Sequence, residues 1–342
     1  MHTPNASYGC DEHGLVCGYL FEPGQPGRPI GSAEAPPWLE REAPAGMPPG
    51  HFVWLHVNLA HAGALAWLRS QAGLQDGFFE AVQAGSRSTR IERDGAQLFA
   101  VLNDVTFDFS FEASDVATLW MSLGGHFVVT ARLHPLRAVD RLRAAVKRGE
   151  PLASPVALLD HLLRDQADEL QRIGRSATER VDDIEDALLA GHAGRHGGEL
   201  SRLRRLMVRL QRLLAPEPGA LLRLLGNPPA WVSAEDVQQL RHASEEFAVV
   251  LRDIGALQER VKLLQEESAA RVADENNRSL FMLTMVTVLA LPINLIAGLL
   301  GMNVGGVPLA SHPHGFWWVL GLVAVFTGVV AWFAFGRLPP RR

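Results

Sequence analysis

The 342-residue sequence predicts an α/β cytoplasmic domain, a mixed sheet flanked by helices, followed by long α-helices and two C-terminal transmembrane helices. Three observations carry that prediction. Short apolar runs bounded by Gly and Pro, the mark of strands, recur through residues 1–150. From Pro155 onward the apolar period becomes helical. Near the end, residues 281–300 and 316–335 contain no charge, and about 20 residues span ~30 Å of hydrocarbon as a helix.

The elements follow in order. The first 50 residues are rich in Pro and Gly. Within them 14–21 reads as a strand, ahead of the run 22–29, and 43–50 as a loop. A second strand is predicted at 51–57, and helical spacing through Leu65 and Leu68 marks 60–72. Further strands are predicted at 97–107, 116–123 and 126–132, the last two joined by a turn at Gly124-Gly125. Residues 156–190 form one long amphipathic helix carrying Asp182, Asp183, Glu185 and Asp186, and the glycine-rich 191–198 breaks it. Residues 199–214 form a basic helix with Arg202, Arg204, Arg205, Arg209 and Arg212. Four prolines make 215–229 a turn region with room for one short helix. Ser233 suits an N-cap, with Asp236 in the first turn. No proline follows until Pro292, so one helix can run from there into the first span. It would be ~100 Å long at ~1.5 Å per residue, and copies of itself are its natural partners.

The resulting division has six parts. Residues 1–150 are the cytoplasmic α/β domain and 151–280 the long cytoplasmic helices, including the stalk. Residues 281–302 are the first, pore-lining span, 303–315 the outer loop, 316–336 the second span and 337–342 a basic tail. Arg271 and Arg278 precede the first span, Arg337, Arg341 and Arg342 follow the second, and 301–315 has no Lys or Arg. The positive-inside rule then puts both termini in the cytoplasm. The absence of a charged-then-apolar leader agrees with that. Trp317, Trp318 and Trp332 sit where aromatic belts form.

Composition excludes several classes. A formal charge of −5 argues against a nucleic-acid partner. Two cysteines, Cys10 and Cys17, build no disulfide framework. No phosphate-binding loop or nucleophile elbow is present, so an enzyme is not expected.

The first span carries the chemistry. Leu280, Thr284, Thr287, Leu291, Asn294 and Gly298 recur every four or three residues and define one helix face. One reading is close helix packing in lipid through small and polar residues. The other is a pore lining, since Asn294 facing lipid would lose its hydrogen bonds. Carried backward, the repeat passes Asn277, Ala273, Ala270, Glu266 and Leu263. Glu266 and Asn277 would then line a cytoplasmic funnel. Beyond Gly298, the segment Gly301-Met302-Asn303-Val304-Gly305-Gly306 stops the helix and can aim carbonyls and the Asn303 amide at an axis.

Gly301-Met302-Asn303 between two C-terminal spans resembles the signature of the CorA superfamily of divalent-cation transporters. The continuation Val304-Gly305-Gly306-Val307-Pro308 resembles its ZntB zinc-transporter branch, as do Trp54-Leu55-His56-Val57-Asn58, Trp67-Leu68 and Ser88-Thr89-Arg90. The resemblance implies a funnel-shaped homopentamer in the bacterial inner membrane, with five first spans around one pore. It implies zinc uptake linked to protons, with no permanently bound cofactor. Magnesium or broad divalent conduction, zinc efflux, and a membrane-anchored oligomer that moves no ion remain the alternatives. The magnesium channels commonly carry an acidic residue soon after the tripeptide. Here 304–315 has none and offers His312 and His314, which suit zinc better.

Weaker candidates remain. Cys10, His13 and Cys17 are soft ligand types, but their spacing matches no standard zinc motif. His192 and His196 lie among glycines and read as loop residues. His51, His56 and His61 lie in strand and loop surroundings, and His56 reads equally as a packed histidine. The acidic group at 182–186 reads as a solvated face, as a partner of the basic helix, or as a regulatory cation site.

Overall fold

The computed structural model describes residues 9–40, 47–71, 73–85, 87–190, 196–302 and 312–335. The chain divides into two compact units, 1–265 and 266–342. The first holds a seven-stranded sheet: β1 (Leu15–Phe21), β2 (Arg28–Pro29), β3 (Phe52–Asn58), β4 (Arg90–Asp94), β5 (Gln97–Val105), β6 (Val116–Leu123) and β7 (Phe127–Arg132). Its spatial order is β2-β1-β3-β7-β6-β5-β4, and the β3–β7 pair is parallel while the rest are antiparallel. The expected mixed sheet is therefore present. The β6–β7 turn falls at Gly124-Gly125, where a Cβ on Gly124 would come within 2.5 Å of the Phe127 ring.

Every residue of β5, β6 and β7 is buried, because helices cover both faces. Alternate residues serve two cores. Phe99, Val101 and Trp120 pack with α1 (Ala64–Gln71) and α2 (Asp76–Gln83) through Trp67, Leu68, Phe78 and Phe79. Leu98, Ala100, Leu102 and Met121 pack on the opposite face. Their partners come from α3 (Arg137–Lys147), α4 (Pro155–Leu189), α6 (Pro216–Leu225) and the start of α7 (Ala234–Leu300). Between α4 and α6 runs α5 (Gly197–Leu214), which buries Leu200, Leu203, Leu206, Met207 and Leu210.

The starts of α4 and α7 are tied together. The Ser154 hydroxyl caps α4 by accepting from the Ala157 N–H at 3.0 Å, and it donates to Asp236 at 2.6 Å. Ser233 and Asp236 form a reciprocal cap, with the Asp236 N–H donating to Ser233 Oγ at 3.0 Å and the Ser233 N–H to Asp236 Oδ2 at 3.1 Å. From that cap α7 continues for 67 residues, with Pro292 inside it.

The proline-rich 215–229 contains the one short helix for which the sequence left room, α6, of 10 residues, with Pro216 and Pro218 in its first turn, where a missing N–H costs nothing. The structure departs from the sequence reading in two places. The strands β2 and β4 and the helices α2 and α3 were not predicted. The acidic face of α4 meets α7 rather than the basic α5: Arg260 pairs with Asp182 at 2.7 Å and with Glu185.

In the second unit, an uncharged stretch of α7 is long and apolar enough to cross a membrane, and none of it is buried. A second apolar helix follows, α8 (Gly315–Phe335).

Candidate functional site

The stripe on α7 is exposed along its whole length. Leu280 is 61% and Leu291 67% accessible, and Thr284, Thr287, Asn294 and Gly298 are exposed with them. The partly covered positions are Met285, Leu289, Ala290, Pro292, Ile293, Ile296 and Leu300. At about 100° per residue most of these lie about half a turn from the stripe, while Ala290 flanks it. Met282 and Val286, on the side away from the stripe, are 65% and 64% accessible, so the uncharged stretch is exposed all round and the stripe is set apart by its polar side chains. The Thr284 and Thr287 hydroxyls donate to the carbonyls of Leu280 and Leu283, at 2.8 and 2.9 Å. Their lone pairs remain free for a solvated ion. Toward the start of α7 the same repeat stays exposed at Leu263, Glu266, Ala270, Ala273 and Asn277.

At its C-terminal end α7 closes with the Gly301 N–H donating to the Ala297 carbonyl at 2.9 Å, and Met302 follows, exposed. Asn303 and residues 304–311 lie outside the described residues, as do the basic tail and His192. His312 and His314 precede α8. The His314 N–H donates to His312 Nδ1 at 3.2 Å, and their rings stand 6.3 Å apart at 64°. The Nε2 atom of His312 is left for another partner.

Cys10, His13 and Cys17 do not converge. Among the described residues no three His, Cys, Asp or Glu side chains group as a metal would need. His13 stacks on Trp67 with ring centroids 5.9 Å apart. Cys17 lies in β1, where burial pushes its thiol up to about 11 and the neighbouring Arg143 offsets only part of that. A protonated thiol is a poor ligand. His56 is a packed histidine. Its Nε2 accepts from Arg132 Nε at 2.9 Å, so its Nδ1 carries the proton toward Thr130 Oγ1, also at 2.9 Å. Burial, with Arg132 beside it, holds its pKa well below the usual histidine range.

Sequence reasoning missed a buried acidic pair. Asp104, next to last in β5, accepts from the Val105 and Ala138 N–H groups, each at 2.8 Å. Burial raises its carboxyl to about 7. Glu217 of α6 is held well above the usual range, chiefly by burial, with Asp104 adding repulsion. Gln166 joins them, donating to the Asn103 carbonyl and to Glu217 Oε2. Two acids in otherwise apolar contexts were the only trace of this in the sequence.

The CorA-like Mg2+ transporter protein family matches residues 49–337. The divalent cation transporter CmaX of Pseudomonas aeruginosa is 30% identical over 335 residues, spanning 96% of this chain and 97% of that protein. The structure of full-length CmaX superposes with a TM-score of 0.76 at 28% identity, covering 96% of this chain and 98% of that one. The zinc transport protein ZntB of Pectobacterium carotovorum is 22% identical over 280 residues, 82% of this chain and 85% of its own. The CorA magnesium transporter of Methanocaldococcus jannaschii shares the fold, with a TM-score of 0.72 at 20% identity over 95% of this chain and 98% of that one. A sheet of the same kind, a helix running from it into an uncharged apolar stretch, and a family match over most of the length agree: this chain belongs to the CorA-like Mg2+ transporter family.

Proposed function

We propose that the protein moves divalent cations across a membrane through a pore lined by symmetric copies of α7. The observation that carries this is the polar stripe from Thr284 to Gly298, which follows one face of an exposed, uncharged and apolar helix. Threonine and asparagine oxygens there can replace water around a hydrated cation. In this reading α7 and α8 both span the bilayer and five copies surround the axis. Glu266 and Asn277 face the cytoplasmic funnel, and Gly301, Met302 and Asn303 form the outer mouth. The Asn303 amide gives an outer-shell oxygen, which suits ions that shed water reluctantly. Zinc taken up with protons is the first cargo, because imidazoles rather than carboxylates follow the mouth. Conduction of several divalent cations, magnesium included, is the second, favoured by the 30% identical relative whose name specifies no one metal.

The test is flux into vesicles reconstituted with the purified protein, with zinc and magnesium compared under set pH gradients. Zinc or magnesium entry well above protein-free vesicles is expected, and Asn303→Ala should abolish it while the assembly keeps its native mass. No flux of any divalent ion would leave a membrane-anchored oligomer. Normal flux in an assembled Asn303→Ala variant would remove Asn303 from the mouth.

A further inference from the structure

The arginines of α5 are left without the acidic partners their charge calls for. Arg260 takes Asp182 and Glu185 on α4. Among the described residues Arg205, Arg209 and Arg212 form no ion pair, nor does Arg87. The Arg209 Nε is buried with no hydrogen-bond partner.

These side chains line a groove made of two neighbouring hollows that share Arg209 and Arg212. The larger, about 500 Å³, is bordered by Arg204, Arg205, Arg209 and Arg212 with Ser201 and Gln265. The smaller, about 260 Å³, adds Arg87, Ser88 and Thr89. Among the described residues no carboxylate lines either one.

Fixed contacts build the walls. The Thr89 hydroxyl donates to the Leu213 carbonyl in the last turn of α5. Asn103 Nδ2 donates to the Arg87 carbonyl and to Thr89 Oγ1, both at 2.8 Å, and the Thr118 hydroxyl holds Asn103 Oδ1 at 3.1 Å. This lattice sets Arg87 across from Arg209 and Arg212. On the other side Gln265 of α7 accepts from Arg204 Nη1 and donates to Ser201 Oγ, each at 3.1 Å. Three separate parts of the chain therefore hold five guanidinium groups along the two hollows.

Guanidinium forks match phosphate oxygens two at a time, and several such groups around a groove match several phosphates in a row. The lining has no aromatic ring on which a base could stack. The recognised chemistry is the phosphate chain. We infer that this groove binds a polyphosphate anion, either inorganic tripolyphosphate or the chain of a nucleoside triphosphate. Phosphate recognition there does not depend on which cation is moved.

The experiment is calorimetric titration of the full-length protein in detergent with tripolyphosphate and, separately, with ATP. Divalent ions are removed so that chelation adds no heat. One anion per protomer is expected, with affinity falling as salt rises. Arg205→Gln/Arg209→Gln/Arg212→Gln should weaken binding by at least about tenfold, since a hydrogen bond to a charged group is worth about that factor. Arg87→Gln, which touches a different segment, should weaken it in the same direction. Equal affinity for the two ligands means that the chain alone is read, and tighter ATP binding names a nucleotide as the source. No binding of either anion, or binding unaltered in both variants, overturns the proposal. Loss of native oligomer mass in the triple variant, with no anion bound by the parent, also overturns it and gives the groove to an acidic face of a second copy.

Discussion

Asp104 shows what one buried acid does to the molecule. Its carboxyl caps the start of α3 by accepting from the Ala138 N–H, yet burial lifts its pKa from 3.8 to about 7. Between those values the folded chain holds a proton that the unfolded chain has released. Stability therefore declines as pH rises through that window and stays low above it. Asp104→Asn keeps an acceptor oxygen and cannot titrate. Its melting temperature should depend less on pH than the parent's between about pH 4 and about pH 7. Equal slopes for the two proteins in thermal scans would show that Asp104 is not the group responsible. At the mouth, the residues to change are His312 and His314. With Nδ1 of His312 occupied by the His314 N–H, Nε2 is its free ligand atom. The double variant His312→Ala/His314→Ala should lower zinc flux relative to magnesium. A constant ratio, measured at a fixed pH gradient and several absolute pH values, would move selectivity to Asn294, Thr287 and Thr284.

At the scale of elements, the question is what fastens α7 to the rest of its unit. Its inward face buries Leu240, Phe247, Leu251, Ile254, Leu257, Val261 and Leu264. Its ion pair to α4 is solvated, with Arg260 41%, Asp182 53% and Glu185 39% exposed. Truncating a fully buried phenylalanine costs about 3–5 kcal/mol, whereas an exposed pair contributes about 0–1 kcal/mol. Phe247→Ala should thus lower the urea midpoint far more than Arg260→Ala; the reverse order would make charge the fastener. The same contrast explains which elements were legible. β6 and α7 announced themselves by an apolar run and by the Ser233–Asp236 cap. The helix α3 has apolar residues at helical spacing but no local start signal, since Leu136 precedes it and its capping carboxylate comes from Asp104, 34 residues away. β4 is an edge strand with Ile91 its one buried residue, so its charges hid the alternation. The α7 stripe was readable because an uncharged apolar run holds so few polar residues that their period stands out. The arginine groove was not, because only folding brings Arg87 to Arg209.

For the whole molecule, the decisive property is that α7 cannot satisfy Asn294. The Thr284 and Thr287 hydroxyls return to carbonyls of their own helix, whereas the exposed Asn294 amide has no such partner among the described residues. An asparagine amide in hydrocarbon without a partner costs several kcal/mol, so a lone protomer in a bilayer is disfavoured. Two apolar helices cannot enclose an aqueous path either. Placing the stripes of several α7 helices around one axis removes both problems, since water and ions then meet the oxygens and lipid meets the apolar sides. Closed rotational symmetry repeats the same contact and leaves no unpaired stripe. The number five comes from the family likeness. Native mass spectrometry in detergent should therefore give one species at five times the 37.3 kDa chain. Replacing Asn294 with Leu should leave that mass intact and cut flux, because the ring loses its oxygens and keeps its packing volume. A monomeric mass would end the pore reading. Another closed number would keep the pore and discard only the count. A parent-like flux in an assembled Asn294→Leu variant would mean that the stripe serves helix packing and the ion path lies elsewhere.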